Sequence, residues 1–528
     1  MQIVSRRWRK STKQIATLGP ASDDKIEDLF LSGVDVFRLN FSHGTREEKG
    51  RVVQAIREIE RKFNHPIGIL GDLQGPKIRT GVFDDPKGYE VKKGEIFRFD
   101  SESENPGNSK RVHLPHPEII IASEVGHKLL VDDGKVALTV VEKGIDYLDC
   151  LVENDGIIKD RKGVNTPDSI MDISPMTEKD RLDLKHMLGL GVDWVALSFV
   201  QREQDVAEIK SLIDIYLQEL REEKKLREEE GLQQDEFFDL PDYDNYRPAV
   251  MSKIEKPSCF WKGELGRIIE LSDGIMVARG DLGVECPPED VPILQKQIIA
   301  ACRAAGKPVV VATQMLESMI DNPTPTRAEA SDISTAIYDG ADAIMLSGES
   351  ASGKYPLESV AMQQRIINRV EVDEGYIREL RGKGPENIDT PTGSMLSAGQ
   401  AVADSVKAKA IVLFTISGTT VLLSSRGRPT TPILAVTPRK DCARRLSLSW
   451  GVYPAVVSGI SPTATFDKEV VSAACRVALM KGLVSTPNDL LVVMAGMPFG
   501  TRGAANVLRV VPAAGPNCWD GKCMEDDY

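Results

Sequence analysis

Residues 250–255 read V-M-S-K-I-E, a short apolar run that closes on a lysine and a carboxylate two residues apart. Side chains at i and i+2 of a strand share a face, so Lys253 and Glu255 are expected to point together into the space beyond that strand's end. A second run, 274–281, reads G-I-M-V-A-R-G-D and closes on Asp281. An ammonium set between two carboxylates suits a divalent cation and an anionic substrate that share one site.

Similar runs recur at 14–18, 35–39, 67–70, 194–199, 308–313 and 342–346, each followed by a helix-like segment. With the first two, that makes eight βα units. Eight parallel strands with intervening helices is the count of a closed (β/α)8 barrel, whose active site lies at the C-terminal strand ends. Polar residues stand at those ends: Arg38, Asn40, Ser42, Asp72, Ser198, Lys253, Glu255, Asp281, Thr313 and Ser347. Packing alone does not place so many in register.

The α/β fold expected is therefore a TIM barrel with two additions. Barrel segments at 1–78 and 173–385 flank an interruption at 79–172, rich in Gly, Pro and Asp, with short alternating pieces such as V-K-K-G-E-I-F-R-F and G-K-V-A-L-T-V-V. This reads as a small β-barrel domain inserted in one barrel loop, placed to act as a lid. After a polar linker near 381–392, strand-like runs at 410–414, 433–436 and 490–494 mark an open-sheet α/β domain over 393–528. The charged stretch 218–246 reads as a solvated helix extension and acidic loop.

Bulk properties narrow the function. The 528 residues are too many for one core, and 41% hydrophobic with 27% charged residues is ordinary for a soluble globular chain. A net charge of −13 argues against nucleic acid or an anionic membrane as partner, yet leaves room for a local cationic pocket. No apolar stretch approaches the roughly 18 residues of a membrane span. The N-terminus M-Q-I-V-S-R-R-W-R-K is basic without an apolar core, so a cytoplasmic location is expected, an organellar one being the alternative. The eight cysteines (150, 259, 286, 302, 442, 475, 518, 523) form no C-x-x-C pair and read as reduced thiols. All six histidines lie at or before His186, which argues against a Ser-His-Asp site drawing on the C-terminal half.

The motifs together resemble the pyruvate kinase family along essentially the whole chain. The carrying residues are F-R-L-N-F-S-H-G (37–44), G-D-L-Q-G-P-K-I-R-T-G (71–81), K-G-V-N (162–165), M-S-K-I-E-K-P (251–257), M-V-A-R-G-D-L-G-V-E (276–285), A-T-Q-M-L-E-S-M (312–319), P-T-R-A-E (325–329) and I-M-L-S-G-E-S-A (344–351). The resemblance implies phosphoryl transfer from phosphoenolpyruvate to ADP, giving pyruvate and ATP, in a homotetramer. Such transfer spreads negative charge over the equatorial oxygens, so catalysis is mostly positioning and cationic stabilisation. Glu255 and Asp281 are hard oxygen donors suited to Mg2+, with Mn2+ as the alternative. Lys253 would neutralise the phosphoryl group in flight and the enolate left behind.

Other roles come from the resemblance alone. It places Arg38 at the transferred phosphoryl group, Gly280 and Asp281 at the substrate carboxylate, and Thr313 in a hydroxyl–water relay that protonates the enolate. Asn40, Arg79 and Lys162 match nucleotide contacts, with Lys162 on the lid. Asn40, Ser42, Asp72 and Leu73 match monovalent-cation ligands, Leu73 by its carbonyl only. Potassium-dependent members carry Glu where this chain has Lys77, and Thr-Lys where it has Leu73-Gln74. A tethered ammonium at Lys77 is expected to replace K+, so no K+ requirement is expected. In the C-terminal domain, Thr415, Ser417, Gly418, Thr419 and Thr420 fall at the family's effector site, facing the loop 496–503. A phosphorylated allosteric effector is the ligand expected there. A rival barrel enzyme such as a Mg-dependent aldolase would not need the insertion, Arg79 or Lys253. A silent scaffold would have lost Lys253, Glu255, Asp281 or Thr313, and all four are present.

Overall fold

The structure is a computed structural model that describes residues 10–230, 241–382, 389–457, 469–497 and 505–514. The basic N-terminus, residues 231–240 of the acidic loop, part of the linker, residues 498–503 of the facing loop, and Cys518 and Cys523 lie outside the described residues. Strands β1 (Lys13–Leu18), β2 (Val36–Asn40) and β3 (Gly68–Asp72) open the barrel. An insertion carries β4 (Tyr89–Val91), β5 (Ile96–Asp100), β6 (Arg111–His113), β7 (Lys128–Val131), β8 (Val136–Lys143), β9 (Tyr147–Val152), β10 (Gly156–Ile158) and β11 (Val164–Asn165). The barrel resumes with β12 (Trp194–Leu197), β13 (Ala249–Ile254), β14 (Gly274–Ala278), β15 (Val309–Ala312) and β16 (Ala343–Leu346). It closes in the order β1-β16-β15-β14-β13-β12-β3-β2.

Barrel strands read as near-continuous apolar runs because helices cover one face and the barrel interior the other. The interior cluster contains Ile15, Val36, Leu70, Trp194, Ala196, Met251, Met276 and Val310. Their neighbours Ala16, Phe37, Ile69, Val195, Val250, Ile275 and Val311 pack outward under the helices. This parity decides the site. Counting on by two from the interior positions reaches Thr17, Arg38, Asn40, Asp72, Ser198, Lys253 and Glu255, all at the C-terminal mouth.

At the opposite end, four aspartates precede strands and each accepts an N–H from the neighbouring strand. Asp35 takes Gln14, Asp193 takes Ile69, Asp273 takes Val250 and Asp342 takes Val309, at 2.8–3.0 Å. These bonds satisfy donors that a strand start would otherwise leave bare. Asp342 also anchors the C-terminal domain. Arg428 donates to both its oxygens at 2.8 and 3.0 Å and to the Gly340 carbonyl at 2.7 Å, while the Trp450 amide adds 3.1 Å.

The insertion holds a six-stranded sheet, β11-β7-β8-β9-β5-β6, beside a β10-β4 ribbon, so the expected small β-barrel takes the form of a half-barrel. Its core is built on Phe97, Phe99, Leu129, Leu138 and Leu148. The C-terminal domain is a five-stranded sheet ordered β19-β18-β17-β20-β21, from β17 (Ala410–Phe414), β18 (Ile433–Thr437), β19 (Val452–Val456), β20 (Leu490–Ala495) and β21 (Val507–Pro512). Two of its strands escape the sequence reading: β19 is broken by Pro454, and β21 is a partly exposed antiparallel edge. The charged stretch begins as the end of the helix Glu203–Glu229, and the chain then returns with Tyr243 and Tyr246 buried. The six described cysteines are unbridged and buried. Among the described residues, no helix is long and apolar enough to cross a membrane.

Candidate active site

Lys253 is the centre of the mouth. Its ammonium lies 2.9 Å from Glu255 Oε1 and 3.6 Å from Asp72 Oδ1, and donates to Ser198 Oγ at 2.8 Å. Burial alone would strip its proton, but Asp72 and Glu255 outweigh burial and hold the ammonium above its ordinary pKa. The pair foreseen from i, i+2 spacing is thus in contact. Asp72 is fully buried, yet Lys253 and Arg38 keep its carboxylate below the usual range. Arg38 donates through Nε to Asp72 Oδ2 at 2.7 Å and through Nη1 to Thr17 Oγ1 at 3.0 Å, with Nη2 2.6 Å from the same carboxylate oxygen. About two of the five guanidinium N–H donors then remain for an incoming anion.

Glu255 is oriented from the backbone. Phe199 sits in the left-handed region at φ 56°, and its amide donates to Glu255 Oε2 at 2.6 Å. Oε1 is buried and faces the Lys253 ammonium at 2.9 Å. Burial first, then Asp281, raises the Glu255 pKa against the pull of Lys253. Asp281 is raised likewise by burial, with Asp133, Glu285 and Asp72 adding to it against Lys253. Two buried carboxylates that share a single ammonium, and whose pKa values stay raised in spite of it, carry more negative than positive charge and form a donor set that a hard divalent cation fits. Among the described residues no cluster of three or more His, Cys, Asp or Glu side chains offers a complete metal cage.

Thr313 follows β15 with φ 69°, and Gln314 follows with φ 54°. The Thr313 hydroxyl accepts from the Gly280 amide at 2.8 Å and donates to the Ala312 carbonyl at 2.5 Å. Gly280 and Asp281 open the short helix Arg279–Glu285, which Arg279 pins through Asp332 at 2.7 Å and the Thr313 carbonyl at 2.6 Å. The structure thereby brings Thr313, Gly280 and Asp281 to one rim.

Lys77, Arg79 and Lys162 line a cleft of about 370 Å³ with Asp281, Glu285, Lys256, Phe199, Asp132 and Asp133. The two segments that lead into and out of the insertion are bonded to each other. Arg79 bridges Gly163, the Thr80 amide donates to the Lys162 carbonyl at 2.9 Å, and the Val164 amide to the Ile78 carbonyl at 3.1 Å. Lys162 itself rests on Asp132 at 2.8 Å. Burial, then Arg79, lowers the Lys77 pKa, with Asp281 opposing. The remaining monovalent-cation candidates have partners: Asn40 Oδ1 accepts from the Ser42 amide at 3.0 Å, and the Leu73 carbonyl accepts from Ser198 at 2.8 Å.

Sequence reasoning missed Glu285, which accepts from Asn165 of the insertion at 2.9 Å and lies 3.3 Å from Lys256. It missed Thr17 too, although the parity of β1 would have found it. The αL amide of Phe199 left no signal. In the C-terminal domain, Gly418 (φ 89°) caps the helix Thr419–Arg426. Its amide donates to Thr415 at 2.9 Å, and Ser417 and Thr419 bond each other at 3.1 Å. Those hydroxyls are paired locally, and Thr420 lies just inside the helix.

A closed barrel with a cationic mouth, two carboxylates suited to a metal and a half-barrel over the cleft defines an enzyme of phosphoryl transfer. Family models described as the pyruvate kinase barrel domain and alpha/beta domain match residues 9–242 with 239–360, and 394–511. The chain belongs to the pyruvate kinase family and is a phosphotransferase of that class. It is 46% identical over 509 residues to a pyruvate kinase of Agrobacterium vitis, covering 96% of this chain and 99% of that protein. It is 43% identical over 503 residues to one of Methylorubrum extorquens, covering 95% and 97%. The crystal structure of a pyruvate kinase from Cryptosporidium parvum superposes with a TM-score of 0.84 at 32% identity over 97% of each chain.

Proposed function

We propose that this chain moves the phosphoryl group of phosphoenolpyruvate to ADP, giving pyruvate and ATP as the last step of glycolysis. The observation that carries this reading is Lys253, an ammonium buried among Asp72, Glu255 and Ser198 at the barrel mouth. A group held charged there meets the equatorial charge of the transferring phosphoryl and then the enolate oxygen. Arg38, fixed on Asp72 and Thr17, orients the phosphoryl group from the other side. Asp281 and Gly280 bound the pocket for the substrate carboxylate, with the Gly280 amide held on the Thr313 hydroxyl at 2.8 Å. The Thr313 hydroxyl, held between a donor and an acceptor, lies at the head of the proton path to the enolate carbon. Arg79, Lys162 and Asn40 take the nucleotide phosphates.

Glu255 and Asp281 would hold Mg2+, or Mn2+ in its place. Bound there, the ion would supply positive charge against the transferring phosphoryl group. ADP-dependent release of pyruvate from phosphoenolpyruvate with Mg2+ tests the whole reading; a pure, folded preparation with no such activity would sink it.

Lys77 supplies a fixed positive charge in the cleft, supported by the engagement of Asp72, Asn40 and the Leu73 carbonyl with protein donors. Turnover in K+-free buffer is expected to change less than about twofold when K+ is added. Lys77→Glu is expected to lose at least about tenfold in K+-free buffer, roughly the worth of one charge-assisted contact, and to regain it with K+. A large K+ activation of the unaltered protein would refute this.

The further parts of the reading are domain boundaries at 1–78, 79–172, 173–385 and 393–528, a cytoplasmic homotetramer, and an effector at Thr415, Ser417, Gly418, Thr419 and Thr420.

A further inference from the structure

We infer that Glu285 is a positioning residue for the nucleotide: its carboxylate holds the half-barrel where Arg79 and Lys162 face Asp281 across the cleft. The inference rests on the reading of that cleft given above and adds the group that sets its width. Glu285 closes the helix Arg279–Glu285 and stands at i+4 from Asp281, so the two side chains share a helix face, and both line the cleft.

Three pieces of chain meet at this carboxylate. Its Oε1 accepts from Asn165 Nδ2 at 2.9 Å and lies 3.3 Å from the Lys256 ammonium. Asn165 belongs to β11, which pairs antiparallel with β7 in the half-barrel sheet. Lys256 follows Glu255 just beyond the end of β13. Glu285 and Lys256 are each 5% exposed, so water and salt screen the contact little. A hydrogen bond to an ionised carboxylate in such a place is one of the stronger single contacts available.

The other polar attachments differ in position. Met171 exchanges two bonds with the Gln201 side chain, at 3.1 and 3.2 Å, and Asp172 pairs with Arg202 at 2.8 Å. These lie where the chain returns to the barrel, and they serve as the pivot. Asn165 lies within the sheet and follows Lys162 by three residues. The Lys162 carbonyl and the Val164 amide are bonded to Thr80 and Ile78, on either side of Arg79. Fixing Asn165 therefore fixes both cations. A Cβ placed on Gly134 would lie 3.9 Å from Val284 Cγ1, so a turn of the half-barrel passes over the same helix. In that turn Asp133 is near enough to Asp281 to raise its pKa, and the like charges push the half-barrel away from the barrel. The Asn165–Glu285 bond opposes that push.

The test breaks the half-barrel end of the contact and leaves Lys256 its partner. Asn165→Asp sets two carboxylates against each other. In the full-length protein, free of metal and nucleotide, energy transfer between a fluorophore on the half-barrel and one on the barrel should fall. KM for ADP should rise about tenfold or more while kcat changes less than about threefold, because nucleotide must first draw the half-barrel back. Asn165→Ala removes the donor without adding charge, and should show both changes at smaller size even if the charged variant does not fold. Exchanging the partners, Asn165→Asp with Glu285→Gln, restores an amide–carboxylate pair with donor and acceptor reversed. It should recover most of both losses, which a merely structural role would not produce. Unchanged energy transfer in the Asn165 variants, a loss confined to kcat, or an exchanged pair no better than either single variant would overturn the inference. Energy transfer needs neither substrate nor turnover. An inactive preparation would thus refute the reading of the reaction, while the role of Glu285 would still be decided by the transfer.

Discussion

Lys253→Met is expected to cut turnover by about a thousandfold or more, the range seen when a preorganised charge is removed from a transition state. The substitution keeps the length and much of the volume of the side chain, so the barrel interior stays filled. What is lost is an ammonium held charged by Asp72 and Glu255 at 3.6 and 2.9 Å. Its removal leaves those two carboxylates buried, with Arg38 and the Ser198 hydroxyl at Asp72 and the Phe199 amide at Glu255. Asp72 then loses the larger of the two charges that hold its pKa down, Glu255 is raised further, and a divalent cation becomes the remaining source of positive charge at Glu255. Mn2+ affinity, read by electron paramagnetic resonance, should therefore be kept while the rate falls. Near-normal turnover would remove Lys253 from the chemistry, and loss of the metal with the rate would merge its role with that of Glu255.

The second large effect lies at the opposite end of the barrel and concerns stability. Arg428 and Asp342 are 2% and 4% exposed, so this pair is cut off from water. Arg428→Met removes one partner and leaves the other buried, a change that costs about 3–5 kcal/mol. Asp342 keeps the Val309 and Trp450 amides, which places the expected loss near the lower end of that range. The C-terminal domain loses its clamp on the barrel, so denaturant unfolding should become multiphasic, with that domain released first. A single transition at an unchanged midpoint would show that the pair contributes no net stability.

Much of this was legible in the chain. Apolar runs of the right length gave the strands, and strand-end polar residues marked the mouth, because parallel barrel strands are buried on both faces and only their ends meet solvent. The Lys253–Glu255 contact followed from i, i+2 spacing. What could not be read depends on backbone conformation or on distant partners. The Phe199 amide reaches Glu255 only because φ is positive at a bulky residue, where sequence predicts an extended chain. Glu285 joins Asn165 across 120 positions, and no local pattern encodes such a pairing. Strand β19 was hidden by Pro454, because its place in the sheet is settled by tertiary packing.

The bonded crossing of the two segments that enter and leave the insertion has a mechanical consequence. Because Arg79 is bridged to Gly163 and Thr80 to Lys162, the two proposed nucleotide-phosphate cations are carried on one two-stranded strap. A swing of the half-barrel moves them together, as a jaw rather than as two fingers. Nucleotide grip and domain posture then become a single coordinate. A pair of spectroscopic labels, one on the half-barrel and one on the barrel, would register ADP arriving as a change in distance.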